Sequence, residues 1–405
     1  MSRSRLLHSI AAALLSSLLL PGPRAWGDEF RVTPSLAARD EYNSNVFFTT
    51  GARTDSFILT VSPRLELSDR TERMNARFDG GVDKRFFSAD TGLDTLDQTY
   101  RGQLGYRFSN TFGLSGDASF RREGLPDRDI EATGLVAGNR SDRQIYSVSA
   151  DYALSEKTGA GLSYGYERLD YKSQANLDSE QHTVGLGFIH DLGQSFPNTK
   201  GRANLGYARS KFTGLDVENY TVTVGFSREI HELWSILADV GARYTRSELD
   251  ILRPVEVAPG FFTLARGTDT SNNTGWIAKV ALAYKGERDT GNLSFYRDVT
   301  VAAGRGGAAE RTAVTLDLAH RGSYEFTGLF STGYYVNRSE AGQFSGQAID
   351  ERTVRVRPAL RYAATKNIDV EAAYQYTRVL YRQVDAEASQ NVVYLRAALR
   401  YPVVE

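Results

Sequence analysis

From Asp28 onward the chain repeats one pattern: apolar and polar residues alternate every second position, and no segment keeps a 3.6-residue apolar period. In Trp276–Lys285, Trp276, Ala278, Val280, Leu282 and Tyr284 share one face, while Lys279 and Lys285 share the other. Tyr220, Val222, Val224 and Phe226 likewise oppose Thr221, Thr223, Gly225 and Ser227. In Thr353–Tyr362 the apolar face is Val354, Val356, Pro358, Leu360 and Tyr362, and the reverse carries Arg355, Arg357 and Arg361. A side-chain period of two is that of a β-strand with one face in an apolar medium.

Aromatic residues stand at the ends of these apolar faces. Tyr100 and Phe108 bracket Gly102, Leu104 and Tyr106; Phe112 and Phe120 bracket Leu114, Gly116 and Ala118. Trp234 and Tyr244 bracket Ile236, Ala238, Val240 and Ala242, and Trp276 and Tyr284 close the face described above. Strands of roughly nine to eleven residues with an outward apolar band and two aromatic girdles predict a barrel that spans a bilayer. A soluble sandwich would use shorter strands and hide its apolar face against a second sheet.

The connections alternate in length, as expected of short periplasmic turns facing longer outer loops. Ser109-Asn110-Thr111, Ser155-Glu156-Lys157, His231-Glu232, Arg288-Asp289-Thr290, Arg321-Gly322-Ser323 and Thr365-Lys366-Asn367 are short; Glu123–Asp142, Asp250–Asn272, Ala302–Arg311 and Asn337–Asp350 are long. The expected fold is all-β: one transmembrane antiparallel up-and-down barrel of about 18 strands, with about 21 residues per strand and connection. One segment breaks phase. Leu293–Val301 turns Arg297 outward, which predicts a bulge or a place near the membrane rim.

The N-terminus changes the compartment. Arg3 and Arg5 precede a Leu- and Ala-rich run to Leu20, then Pro21-Gly22-Pro23 and Ala25-Trp26-Gly27. That is a secretion signal over residues 1–27 with cleavage before Asp28, leaving 28–405 as a single barrel domain in the bacterial outer membrane. The chain has 48 basic and 49 acidic residues, and the leader removes three Arg and no acid. No basic surplus points to nucleic acid. The absence of Cys excludes disulfides, thiolate metal sites and attached haem.

A barrel this large encloses water, so its inward faces should be polar. Alternation places Arg77, Asp79, Asp83 and Arg85 inward on one strand, and Arg101 and Arg107 on the next. Arg355, Arg357 and Arg361, then Asp369 and Glu371, then Arg396 and Arg400 fall on three successive strands, predicting Arg, carboxylate and Arg rows side by side. Two readings stand: a hydrated ion-pair lattice that stiffens the wall, or a surface selecting an anionic or polyhydroxylated solute.

Signs of catalysis are weak. Gly161-Leu162-Ser163-Tyr164-Gly165 matches G-x-S-x-G but lies in an alternating strand, not on a strand-to-helix elbow. The four histidines beyond the leader, His182, His190, His231 and His320, have no metal-pair spacing. Gly304-Arg305-Gly306-Gly307 lacks the Lys of a phosphate loop. Glu41-x-Asn43-x-Asn45 echoes calcium-ligand spacing without the turn Gly or the distal Glu. No enzyme activity, cofactor or metal is expected.

Thr33-Pro34-Ser35-Leu36, Tyr42-Asn43-Ser44-Asn45-Val46-Phe47, Thr54-Asp55-Ser56-Phe57 and Ser62-Pro63-Arg64-Leu65 resemble the outer-membrane β-barrel porins that accompany bacterial exopolysaccharide and capsule gene clusters. The resemblance implies a passage for polysaccharide export, fed by a separate periplasmic export protein. A general or anion-preferring solute porin has the same architecture without that partner. An outer-membrane enzyme or an electron-conduit scaffold is the remaining class. The expected partners are outer-membrane lipid and lipopolysaccharide, the transported polysaccharide or small anion, and the barrel-assembly machinery. The last would read the final strand through Val393, Leu395, Ala397, Leu399 and Tyr401. The tail Pro402–Glu405 is expected to hang free.

Overall fold

The computed structural model describes residues 29–124, 140–172, 176–302, 307–346 and 348–403. The predicted leader and most of the Gly304–Gly307 stretch lie outside them. Eighteen strands follow in order: β1 Glu29–Asn43, β2 Ser56–Arg70, β3 Met74–Phe87, β4 Thr95–Arg107, β5 Phe112–Glu123, β6 Ser141–Ala153, β7 Thr158–Tyr171, β8 Ser179–Asp191, β9 Thr199–Phe212, β10 Leu215–His231, β11 Trp234–Ala258, β12 Phe261–Lys285, β13 Asp289–Val301, β14 Ala308–Arg321, β15 Phe326–Ser339, β16 Ile349–Ala363, β17 Ile368–Tyr381 and β18 Ala386–Arg400. Each pairs antiparallel with its sequence neighbours, and β1 pairs with both β2 and β18. The predicted 18-stranded up-and-down barrel is therefore closed. At a strand spacing of about 4.8 Å and a tilt of about 40°, such a wall is about 35 Å across, too wide for its own side chains to fill.

The closing seam runs from Ser35↔Arg400 to Asn43↔Val392. It continues past the last strand, because the amides of Tyr401 and Val403 donate to the carbonyls of Pro34 (3.1 Å) and Val32 (2.9 Å). Val404 and Glu405 lie outside the described residues, and as far as Val403 the tail expected to hang free instead extends the seam. Its alternate amides are the ones that face β1, so Pro402, which has none, interrupts nothing.

Outside, large apolar side chains are exposed in a band bounded by two aromatic rows. At the short-turn rim Phe108 stacks on Phe112 (5.4 Å between centroids), Trp234 tilts against Tyr284 (4.8 Å) and Phe326 stacks on Tyr362 (4.7 Å). At the other rim Tyr100 faces Phe120 (6.3 Å), Tyr207, Tyr220 and Tyr244 form a chain, and Trp276 lies parallel to Phe295 (6.3 Å). All eight predicted girdle residues are thus in the two rows. Trp234 and Tyr244 are ten positions apart on β11, which at the strand rise and tilt separates the rows by about 25 Å, the height of an outer-membrane apolar belt. A closed wall with such a belt pairs its backbone within the sheet and exposes a mainly apolar surface to lipid. The protein is an integral outer-membrane β-barrel.

Two expectations are corrected. Asp250–Asn272, read as a loop, belongs to a ladder that runs from Trp234↔Tyr284 to Ala258↔Phe261, shifts register between Glu256 and Ala258, and is turned by Gly260 at φ 79°. β11 loses its β10 partner beyond Leu249 and β12 has no β13 partner before Ala278, so a two-stranded ribbon rises past the wall. Arg297 does not sit on a bulge, for the β13 ladders run without a register shift. It is the rim alternative that holds: its guanidinium lies 4.4 Å from the Trp276 ring centre.

Val240 is 57% exposed midway between the aromatic rows, whereas Ser149 faces the lumen and shares a 2.7 Å hydrogen bond with Ser115. Val240→Arg is expected to destabilise the barrel by about 2–4 kcal/mol in lipid vesicles, measured by urea unfolding, whereas Ser149→Arg leaves stability within about 1 kcal/mol.

Candidate functional site

The lumen is shaped by two loops that fold inward. After β1, the amide of Asn45 donates to Asn43 Oδ1 (3.0 Å), and its side-chain amide donates to the carbonyls of Thr49 (3.0 Å) and Ser389 (3.1 Å). Gln390 Nε2 in turn donates to the Asn45 carbonyl (2.8 Å). These bonds tie the turn to β18 and set Val46 against Ile58 and Phe87, and Phe48 against Val379 and Ala388. The Asn pair with the calcium-like spacing is thus spent on backbone groups of the loop and of β18. Phe48, 4% exposed, is an inward anchor.

The second loop joins β15 to β16. Phe344, 2% exposed, reaches across to Leu215 and Val217 of β10 and Ala308 of β14. Its carbonyl accepts from the Ala308 amide (2.7 Å), and the Gln343 carbonyl accepts from Ser247 Oγ. Arg243 lies 5.1 Å from the Phe344 ring centre and bonds Asn273 (2.9 Å) and Glu310 (2.8 Å). Glu310 also binds Arg297. This bridge spans the notch that opens where the ribbon leaves the wall.

A cavity of about 490 Å³ lies against the lumenal face of strands β1–β5 and β16–β18. Its charged lining is Arg39, Arg64, Arg85, Arg121, Arg355 and Arg396 against Glu41, Asp83 and Glu123. Arg39 pairs with Glu41, Arg64 with Asp83 (3.2 Å), Arg121 with Glu123 (3.5 Å) and Arg85 with Asp97 (3.1 Å) behind it. Arg355 donates to Gln375 (2.9 Å), and Arg396 is 3.9 Å from Asp369. Counting Asp97 and Asp369 still leaves guanidinium in excess, and Arg keeps its charge at any working pH. Arg39 and Arg396 stand directly opposite each other across the closing seam. Like charges in that position cost stability, so their mutual field is available to an anion that passes between them.

The predicted Arg–carboxylate–Arg rows are present. Glu371, 3% exposed, accepts from Arg357 (2.6 Å), Arg361 (2.9 Å) and Tyr394 (2.7 Å), and Asp369 takes Arg396 and Arg400 (4.0 Å). Nearer the short turns Arg77 binds Asp79 (2.9 Å) and Glu66 (3.2 Å), and Arg101 binds Asp117 (2.7 Å). Arg77 and Arg107 line two further lumenal recesses, of about 580 and 720 Å³, in which both signs of charge are present. Of the predicted residues, Asp83, Arg85, Arg355 and Arg396 share the central cavity; Arg39, Glu41, Arg64, Arg121 and Glu123 join them unpredicted. The phase of Leu36, Ala38 and Tyr42 would have turned Arg39 inward, but outward Asp40 obscures it.

Ser163 Oγ lies 3.5 Å from the Gly185 carbonyl within the β7–β8 ladder. His182, on β8, turns outward to Tyr164 (2.8 Å). The nucleophile–base geometry that G-x-S-x-G would need is not formed at Ser163.

No protein-family model matches the chain, and no curated protein matches it. Among solved structures it is similar to the outer-membrane protein OpdK of Pseudomonas aeruginosa (10% identity, TM-score 0.45, covering 91% of this chain and 99% of that one). It is similar to Pseudomonas aeruginosa OccK2 (OpdF) in complex with glucuronate (12%, TM-score 0.47, 94% and 100%) and to the ferric-catecholate import receptor Fiu of E. coli K12 (7%, TM-score 0.49, 91% and 81%). None of these figures bears on what crosses the lumen.

Two substitutions test the two halves of the lumen. Phe344→Ala removes the anchor of the inward loop, at a local cost of about 3–5 kcal/mol, and is expected to raise single-channel conductance in planar bilayers. Glu371→Gln leaves Arg357 and Arg361 without their shared carboxylate. It is expected to cost about 1–3 kcal/mol in urea unfolding and to move the reversal potential toward anions.

Proposed function

We propose that the protein is an outer-membrane solute porin whose lumen favours small anions. The observation that carries this reading is the guanidinium surplus around the central cavity, above all Arg39 facing Arg396 across the seam. The planar, bidentate donors of Arg suit carboxylate and phosphate, and a cluster of them in a hydrated constriction raises the local anion concentration. The mechanism is diffusion along fixed charges with no bond made or broken. Export of exopolysaccharide, implied by the N-terminal resemblance, draws no support from this lumen. Both the Phe48 and the Phe344 loops narrow the passage that a polymer would have to thread.

The test is the reversal potential of purified protein in planar bilayers across a KCl gradient. The expected sign is anion-selective, and a cation-selective or non-conducting protein overturns the proposal. Arg39→Ser with Arg396→Ser is expected to lower the anion-to-cation permeability ratio about fivefold, the equivalent of about 1 kcal/mol of Coulomb energy at a few ångströms in water.

A further inference from the structure

Six strands that run toward the long-loop rim repeat one outward arrangement. An aromatic of the outer row is followed two residues later by Arg: Phe120 and Arg122, Tyr166 and Arg168, Tyr207 and Arg209, Tyr244 and Arg246, Phe295 and Arg297, Tyr376 and Arg378. Each pair shares the outward face because strand side chains alternate. On each of these six strands, β5, β7, β9, β11, β13 and β17, the guanidinium therefore lies one two-residue step beyond the aromatic row, about 5 Å at the strand rise and tilt, and together they form a broken ring. That height lies within the headgroup layer, which adds about 5–8 Å to each side of the hydrocarbon core.

The short-turn rim has the same aromatic row but not the same cations. Among the described residues it repeats the arrangement once, at Phe226 and Arg228. The outer ring is accordingly not the general tendency of long cations to reach water at a membrane surface. It belongs to one leaflet.

All six positions are Arg, the side chain whose flat fork matches a phosphate with two parallel hydrogen bonds. Each holds a carboxylate in the meantime: Arg122 binds Asp142 (2.8 Å), Arg168 binds Asp170 (2.9 Å) and Arg378 binds Glu387 (2.6 Å). Arg209, Arg246 and Arg297 bind Asp216, Glu248 and Glu310. Most of these side chains stay more than 40% exposed, and exposed pairs are weak, so a phosphate of higher charge displaces or joins the carboxylate at little cost.

We propose that this outward arginine ring binds the phosphate groups of a phosphorylated glycolipid in the outer leaflet, with the adjoining aromatic row packing against its acyl and sugar boundary. The proposal rests on the membrane belt and is independent of what the lumen conducts.

The experiment uses the full purified chain in detergent, with native mass spectrometry counting bound lipid as lipid concentration is varied. The probes are bisphosphorylated lipid A, the same lipid enzymatically dephosphorylated, and inorganic phosphate. The bisphosphorylated form is expected to bind about tenfold more tightly than the dephosphorylated form, and inorganic phosphate to leave it in place at millimolar concentration. A triple variant, Arg168→Gln with Arg209→Gln and Arg246→Gln, is expected to lose about tenfold in affinity for the bisphosphorylated form, whereas Arg228→Gln at the other rim binds as the unaltered protein does. Equal binding of the two lipids overturns the proposal, as does an Arg228→Gln loss matching that of the triple variant. Displacement of the lipid by inorganic phosphate would assign the ring to free anions and overturn it as well. The two-lipid comparison on the unaltered protein decides the matter even where the triple variant does not fold.

Discussion

Every other feature of this molecule depends on the closure of one hydrogen-bond ladder. In hydrocarbon an unpaired amide or carbonyl costs several kcal/mol, so a sheet in a membrane has no tolerable edge. The β1–β18 seam removes that edge, and the backbone bonds of Tyr401 and Val403 carry it toward the periplasmic rim. Once the wall is shut, its circumference fixes a water-filled interior. The outward side chains must then suit lipid and the inward ones must suit water.

The inner surface answers to two demands that conflict at particular residues. Buried or half-buried guanidiniums need carboxylates, and Glu371 serves two Arg and a tyrosine hydroxyl at once. That is the wall-stiffening lattice. Arg39 and Arg396 face one another across the seam, yet Arg396 also stands opposite Glu371 on β17 and Arg39 lies 3.8 Å over the Tyr394 ring, so each like charge is offset on its other side. The same rows thus carry both the paired lattice and, around the cavity against β1–β5 and β16–β18, an excess of Arg over carboxylate.

The wall was legible in the sequence because a strand in lipid obeys a strict period of two, and because the aromatic rows mark both rims. Strand number and the Arg355–Glu371–Arg396 rows follow from that period together with the alternation of short and long connections. What escaped is what the period does not govern. The inward turn of Phe344 is decided by tertiary contact with Leu215 and Val217, far away in sequence. Phe48 beside Phe47 gives no sign that one is buried and the other exposed. In Asp250–Asn272 two prolines, a Pro-Gly turn and scattered polar residues imitate a loop, although Ile251, Val255, Phe261, Phe262 and Thr263 carry strong strand propensity on both arms.

That ribbon gives the molecule a property which the rest of its architecture was built to avoid. The barrel abolishes free strand edges inside the membrane, yet β11 beyond Leu249 and β12 before Ala278 carry unsheltered edges above it. Such edges recruit other strands, and the exposed Leu252, Phe261, Phe262 and Leu264 would reward them. The ribbon contains the usual deterrents in its own sequence. Pro254 interrupts one edge, and the charges of Glu256, Arg266 and Asp269 are spaced along both arms. Pro254 and these charges oppose edge-to-edge pairing on an element whose edges the barrel wall does not cover.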